Sequence, residues 1–421
     1  MADKEVIHVP GLSEAEEKAN VPLSAAIKAN GFVFVSGLPP LDPKTGEIKL
    51  GNIEEQTVQV LENIKATLEA AGSSLDKVVK AQVLISNCAY FDEVNANGGV
   101  HGRKITYIVE DHGYQVPKAA QAANKLINRD QVFAMLLNLG TPHNLAMFQM
   151  MEPQGVPNVS PITAARQMIE PPAPWKFAGT SSYFDAILAT TDYMIENEGT
   201  RKVCLMILPT DFGKEIEAAV HELANEGKIE LGAESAHKPD ESDFTGALGR
   251  VKESGCDTVG MALGISQMIN AIATARKLGM DDVKFMLSSA GFHTVVAKGL
   301  AQQGVMDGVY AGSGWQDLEA RLDQPEVAEW VASYKDATGE DYPGTGALLG
   351  HSGAVIMVEA LKAAGPDLTR ENFIAAMETL DFPDPIAGTR VDFSAEDHTA
   401  ADEVFVSRIE DGSWVLVQTL E

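Results

Sequence analysis

Apolar residues Val58, Leu61, Ile64 and Leu68 fall three or four apart within residues 52–71. That spacing predicts one face of a helix, and Gly72 follows as its stop. Before it, residues 27–36 (IKANGFVFVS) read as a strand broken by a hairpin signal at Asn30 and Gly31. Residues 42–46 (DPKTG) predict a second tight turn. Residues 78–85 (VVKAQVLI) predict a further strand, and a helix opens at residues 91–95. Residues 1–20 are polar and acidic and read as a loose arm. The order β-β-α-β plus a helix start describes an α+β half-unit.

From Gly98 the pattern becomes strict strand–helix alternation. It predicts strands at 104–110, 131–137, 156–160, 203–208, 229–234, 258–263, 283–287 and 309–311. Helical patterns fall at 118–127, 143–151, 183–196, 214–225, 244–254, 266–278 and 294–303, then at 326–337, 348–364 and 370–379. A hairpin around Asp411 and Gly412 closes the chain, with strands at 404–409 and 414–419. Alternating βα units imply α/β architecture, with parallel sheets and helices on both faces. Roughly 320 residues exceed one core, which predicts two lobes. The Pro-rich residues 170–174 (EPPAP) suit a crossing between them.

Composition narrows the functional classes. With 32 basic and 60 acidic residues the net charge is −28, which repels nucleic acid and anionic membranes and leaves small molecules as partners. The three cysteines, Cys88, Cys204 and Cys256, are odd in number and widely spaced. They read as buried small hydrophobes rather than a disulfide framework. The nine histidines are scattered, so no metal site is expected. The first 18 residues lack a leader pattern and no run of about 18 apolar residues occurs. The reading is a cytoplasmic protein with no membrane insertion.

No G-x-G-x-x-G or G-x-x-x-x-G-K-[ST] loop is present, and no cofactor is expected. Ser288 and Ser289 leave a strand with His293 nearby; helix capping is a better reading of them than a hydrolytic pair. More informative are the loops at strand C-termini, where open α/β sheets bind ligands. Leu139, Gly140 and Thr141 lead from a strand into a helix, and residues 160–164 (SPITA) repeat the arrangement. Residues 208–213 (LPTDFG) offer Phe212. Small-carboxylate binding and plain N-capping stand level on this pattern.

Several stretches are recognisable. The segments NGGVHGRKITYIVEDHGYQVPKAAQAANKLI, LGTPHN, GVPNVSPIT, DFGKE, DESDFTGALGRVKESGCDTV and ATARKLGM resemble the type I periplasmic solute-binding proteins of ABC transporters, leucine/isoleucine/valine-binding branch. The resemblance runs over residues 98–421. It implies a two-lobed fold, lobe one being 98–175 with 313–385 and lobe two 176–312 with 386–421. The implied ligand contacts are Leu139, Gly140, Thr141, Ile162, Thr163, Ala164, Tyr183 and Phe212. Ser289 stands where that branch has a carboxylate for the ligand ammonium, so a neutral or aromatic carboxylate fits as well as an α-amino acid. Tyr310 and Trp315 would give a stacking wall.

Residues 1–97 resemble the Rid family of enamine/imine deaminases, on VPLSAAIKANGFVFVSGLPPLDPKTGEI, EQTVQVLENIKATLEAAG and VVKAQVLISNCAYFDEVNA. This implies a truncated, chorismate-mutase-like α+β unit. Ser36 and Asn95 carry over as remnant positions, and a pocket Tyr of some members falls at Leu23. The strand bearing the family's substrate-gripping Arg does not follow, so no catalysis is expected. The binding-protein part likewise lacks its first strand and most of its first helix, and the Rid strand at 78–85 could take that place beside 104–110. The expected function is binding of an amino-acid-like or carboxylate solute, with an ABC permease as partner and the periplasm as the alternative location. The alternatives are a Rid-type deaminase or a recombined product with no intact activity.

Overall fold

The computed structural model describes residues 4–10, 12–14, 26–29, 32–35, 41–45, 53–71, 89–300, 304–338 and 342–420. Leu23, Asn30, Gly31, Ser36, Gly72, the predicted strand at 78–85 and Cys88 lie outside them. The chain divides into one unit of residues 1–86 with 334–341, and a second of 87–333 with 342–421.

In the first unit, β1 (Lys4–Ile7), β2 (Ala26–Ala29) and β3 (Phe32–Val35) form an antiparallel sheet in that order. The predicted hairpin pairs as expected. The loose arm does not hold, because its start is a strand with a two-residue period: Val6 and His8 are exposed while Ile7 and Val9 are buried. Helix α1 (Ile53–Ala70) also departs from its expected face. Leu61 is 51% exposed, whereas Asn63, Thr67 and Leu68 are buried. The two polar residues go inward because they satisfy main-chain groups. Asn63 Nδ2 donates to Leu41 O (2.8 Å) and Thr67 Oγ1 to Asn63 O (2.8 Å).

The second unit opens with α2 (Ala89–Ala96). Its Asn95 amide donates to Ile105 O (2.9 Å) and accepts from Ile105 N (2.7 Å). One side chain thus occupies both main-chain groups that a neighbouring strand would pair. The predicted strand at 104–110 is correspondingly absent, and no ladder involves these residues among those described. The expected pairing partner, 78–85, lies outside the described residues. Helix α3 (Val116–Asn124) runs into a wide turn, Lys125–Arg129.

A three-stranded parallel sheet follows, β4 (Met135–Leu136), β5 (Asn158–Val159) and β6 (Lys176–Phe177). The first two are shorter than the apolar runs predicted. Part of the reason is Arg370, whose guanidinium takes the carbonyls of Val132, Phe133 and Gln154, each at 2.8 Å. Strand β6 was not expected. It places the exit from this sheet after Phe177, beyond the Pro-rich stretch. Helix α4 (Thr141–Met151) joins β4 to β5.

The chain then enters helix α5 (Tyr183–Glu198) and a seven-stranded sheet. Its strands are β7 (Lys202–Ile207), β8 (Glu230–Ala236), β9 (Thr258–Ala262), β10 (Lys284–Leu287), β11 (Val309–Ser313), β14 (Val404–Glu410) and β15 (Ser413–Leu420), in the order β15-β14-β11-β10-β9-β7-β8. The five strands from β11 to β8 are parallel, and the closing hairpin is antiparallel. Helices α6 (Asp211–Asn225), α7 (Thr245–Ser254), α8 (Ile265–Lys277) and α9 (Thr294–Ala297) fall between them. Helices α10 (Pro325–Thr338), α11 (Thr345–Ala364) and α12 (Arg370–Met377) precede a ribbon of β12 (Asp381–Asp384) and β13 (Thr389–Asp392). Among the described residues α11 alone is long and apolar enough to cross a membrane. Here Leu348, Ala354, Ile356, Val358 and Ala360 are buried in the protein's own core.

The cysteine reading is corrected. Cys204 on β7 and Cys256 just before β9 form a disulfide, with Cα atoms 5.9 Å apart. Both are buried as expected, but 52 residues of sequence hide that their strands are neighbours. Gly232 on β8 leaves room for the bridge, since a Cβ there would lie 2.1 Å from Cys256 Sγ. Replacing both cysteines by alanine should lower unfolding free energy by about 2–4 kcal/mol, from the loop entropy restored to the unfolded chain. Denaturant titration measures it. The same bridge predicts one titratable thiol in the unfolded, unreduced chain and three after reduction.

Candidate functional site

Parallel strands deliver their C-terminal loops to one end of a sheet. In the smaller sheet the loops after β4 and β5 stay paired beyond the strands. Leu139 bridges Ile162, Gly140 N donates to Ile162 O (3.1 Å), and Ile162 N donates to Asn138 O (2.9 Å). Gly140 has φ +91°, and a Cβ there would fall 2.3 Å from His143 Nδ1. This position is closed to other residues both by backbone and by space. The pairing brings Thr141 and Thr163 together with 2.6 Å between hydroxyls, both buried. Beneath them Asn138, Asn144 and Asn158 form an amide network that fixes the loop. Asn138 Nδ2 donates to Asn158 Oδ1 (2.8 Å), and Asn144 Nδ2 donates to the Asn138 and Gly140 carbonyls (both 2.9 Å). None of these asparagines stood out in the sequence, because the network needs three separate elements.

Tyr183 begins α5 and closes on the same loops. Its N–H donates to Ala164 O (2.7 Å). Its hydroxyl bonds to Thr163, and burial pushes its pKa up to about 12, so it stays a neutral donor. Phe212, at the start of α6 after β7, meets the Tyr183 ring edge-on at 5.1 Å. A second link was missed from sequence: Arg166 Nε lies 3.1 Å from Glu215 Oε2, and the Arg166 N–H donates to the same oxygen (3.1 Å). Glu215 sits on α6 and is 4% exposed, and the Arg166 guanidinium lies 3.7 Å above the Phe184 ring. Arg166 follows β5 of the small sheet, so this pair ties one sheet to the other.

Ser288 and Ser289 follow β10 and Trp315 follows β11, at the sheet end that also presents Phe212. The capping role expected of the serines belongs to His293, whose Nδ1 accepts from Val295 N (3.2 Å). Ser288 Oγ, Ser289 Oγ and Trp315 Nε1 are buried and have no hydrogen-bonding partner among the described residues, so neither serine is hydrogen-bonded to His293. Tyr310 does not reach this end. It lines a cavity of about 450 Å³ at the N-terminal end of the strands, and its hydroxyl lies 3.4 Å from Arg408 Nη1. A cavity of about 800 Å³ beside α5 likewise lies off the loops that carry Gly140 and Ser289. Of the two Rid-like positions, Asn95 is committed to Ile105, and Ser36 lies outside the described residues.

These arrangements match known proteins. A family model described as periplasmic binding protein matches residues 83–413, and one described as endoribonuclease L-PSP matches residues 14–106. This chain belongs to the periplasmic binding protein family and begins with a RutC-family segment. The two matches overlap at 83–106, a range that includes α2. A RutC family protein of Pyrococcus horikoshii is 51% identical over 92 residues, 22% of this chain and 70% of that protein. A Rhodopseudomonas palustris solute-binding protein of an ABC transporter, in complex with 3,4-dihydroxybenzoic acid, superposes with TM-score 0.68 at 20% identity, covering 80% of this chain and 91% of that one. A branched-chain amino acid ABC transporter protein from Thermus thermophilus with bound valine gives 0.69 at 20% identity, covering 78% and 88%.

In this binding protein the passage from β11 to α10 is held by Arg321, which donates to the carbonyls of Asp317, Pro385, Gln316 and Ile386. Asp317 is pushed up to about 6, first by burial and then by Glu319. The native protein therefore binds this proton more tightly than the unfolded chain. Its contribution to stability is full below about pH 4 and lost as pH rises through about 6. Asp317→Asn should flatten that fall, worth at most about 3 kcal/mol, in melts across this range. Gly140→Ala should cost about 1–3 kcal/mol from the strained φ and the His143 clash, read by denaturant unfolding.

Proposed function

We propose that this chain captures a small organic carboxylate lacking an α-ammonium group and closes its two sheets over it. Leu139, Gly140, Thr141, Ile162, Thr163 and Ala164 form the wall on the small sheet. Tyr183, Phe212, Ser289 and Trp315 face it from the larger one. The ligand carboxylate lies at the Thr141–Thr163 hydroxyl pair and the free N–H groups that open α4.

The observation that carries this reading is Ser289. It is 2% exposed, neutral and unpartnered, at the position where amino-acid binders of the resembling branch hold the ligand ammonium. A buried hydroxyl left unpaired costs about 1–3 kcal/mol. A ligand hydroxyl or carbonyl would remove that cost, as it would for Trp315 Nε1, whereas an ammonium would meet no counter-charge from Ser289. The Rhodopseudomonas relative's dihydroxybenzoic acid has this chemistry. The Cys204–Cys256 bridge suits an oxidising compartment such as the periplasm, and an ABC permease is the fitting partner.

Thermal shift against hydroxylated benzoates, aliphatic acids and branched-chain amino acids tests the proposal. A hydroxylated aromatic acid at about 100 times its Kd should add about 2.7 kcal/mol of stability, with valine and leucine inert. Ser289→Asp should reverse the preference. Equal shifts with valine in the parent chain would refute it.

A further inference from the structure

We propose that Glu217, His221 and Glu234 form a binding site for a divalent transition-metal ion where α6 packs on the edge strand β8. Glu217 and His221 are four residues apart on the helix, which puts both on one face. Glu234 projects from the neighbouring strand, and its Oε2 lies 2.8 Å from His221 Nε2. One ligand atom from each residue lies within 4.8 Å of the others. Donors about 2.0–2.2 Å from one ion stand roughly 3–4 Å apart, so small side-chain rotations close the set.

A plain His–Glu ion pair accounts for His221 and Glu234 but not for the second carboxylate converging on them. Glu217 has no ion pair among the described residues. Lys214 on α6, Lys228 ahead of β8 and Lys202 at the start of β7 are committed elsewhere, to Asp211, to Asp192 and Glu226, and to Glu230 respectively. With His221 neutral the group carries two negative charges, and a dication balances it. One imidazole and two carboxylates suit Zn²⁺, Co²⁺, Ni²⁺ or Cu²⁺. Partial exposure leaves the remaining positions to water. The bound ion would pin α6, which carries Phe212 and Glu215, to the sheet edge.

The test uses the full chain stripped with chelator. Zn²⁺ titration by calorimetry and Co²⁺ titration by visible absorption should each show one equivalent, weakening as pH falls because protons compete for the ligands. His221→Ala should abolish uptake and the Co²⁺ spectrum. Glu217→Gln and Glu234→Gln should each weaken binding about 10-fold or more. All three variants should melt like the parent in chelator, which separates metal loss from unfolding. An unchanged equivalent and spectrum in His221→Ala would place the ion elsewhere and overturn the site, as would a parent chain that takes up no Zn²⁺ at millimolar concentration.

Discussion

Arg166 and Glu215 meet between the two sheets, and the placement of the loops after β4, β5 and β7 depends on that meeting. A buried carboxylate is tolerated only with a partner, and Glu215 finds both a guanidinium and a main-chain N–H from the segment that follows β5. Because Glu215 lies one turn after Phe212, the pair fixes where α6 starts relative to the loops after β4 and β5. The Tyr183–Phe212 ring contact and the Thr141–Thr163–Tyr183 hydroxyl chain lie on the same seam.

The joined origin of the chain shows most clearly around α2. Both family matches include residues 83–106, and in the described part of that overlap one side chain holds the two halves together. Asn95 saturates Ile105, so the segment at 104–110 is anchored without a ladder. Ile108 and Val109 are left 38% and 52% exposed. The three strands of the small sheet span two residues each, and their loops are held by the Asn138–Asn144–Asn158 network more than by strand pairing. Side-chain amides thus carry work that main-chain ladders carry in the larger sheet.

Much of this was legible in the chain. Strand–helix alternation after Gly98 predicted the parallel sheet, because strands buried on both faces must be apolar runs and crossover helices must be amphipathic. The loops around Gly140, Ile162 and Phe212 followed from the rule that ligands sit at strand C-termini. The failures share one cause. The strand predicted at 104–110 had the right residues, but Asn95 takes both main-chain groups of Ile105 and no ladder forms there among the described residues. Tyr310 is the second residue of β11, so it sits near the N-terminal end of the sheet, away from the loops that leave the strands' C-terminal ends.

The sequence by itself determined the family, the α/β class and the loops that leave the strands' C-terminal ends, since these depend on periodicity and local turn chemistry. Only the tertiary structure decided which distant residues meet. The Cys204–Cys256 bridge, the Arg166–Glu215 pair and the convergence of Glu217, His221 and Glu234 each join elements that sequence separation keeps apart. Likewise, Ser289 became informative only once burial without a partner was visible. Sheet order sets such contacts, and sheet order is a property of the folded chain rather than of any stretch of it.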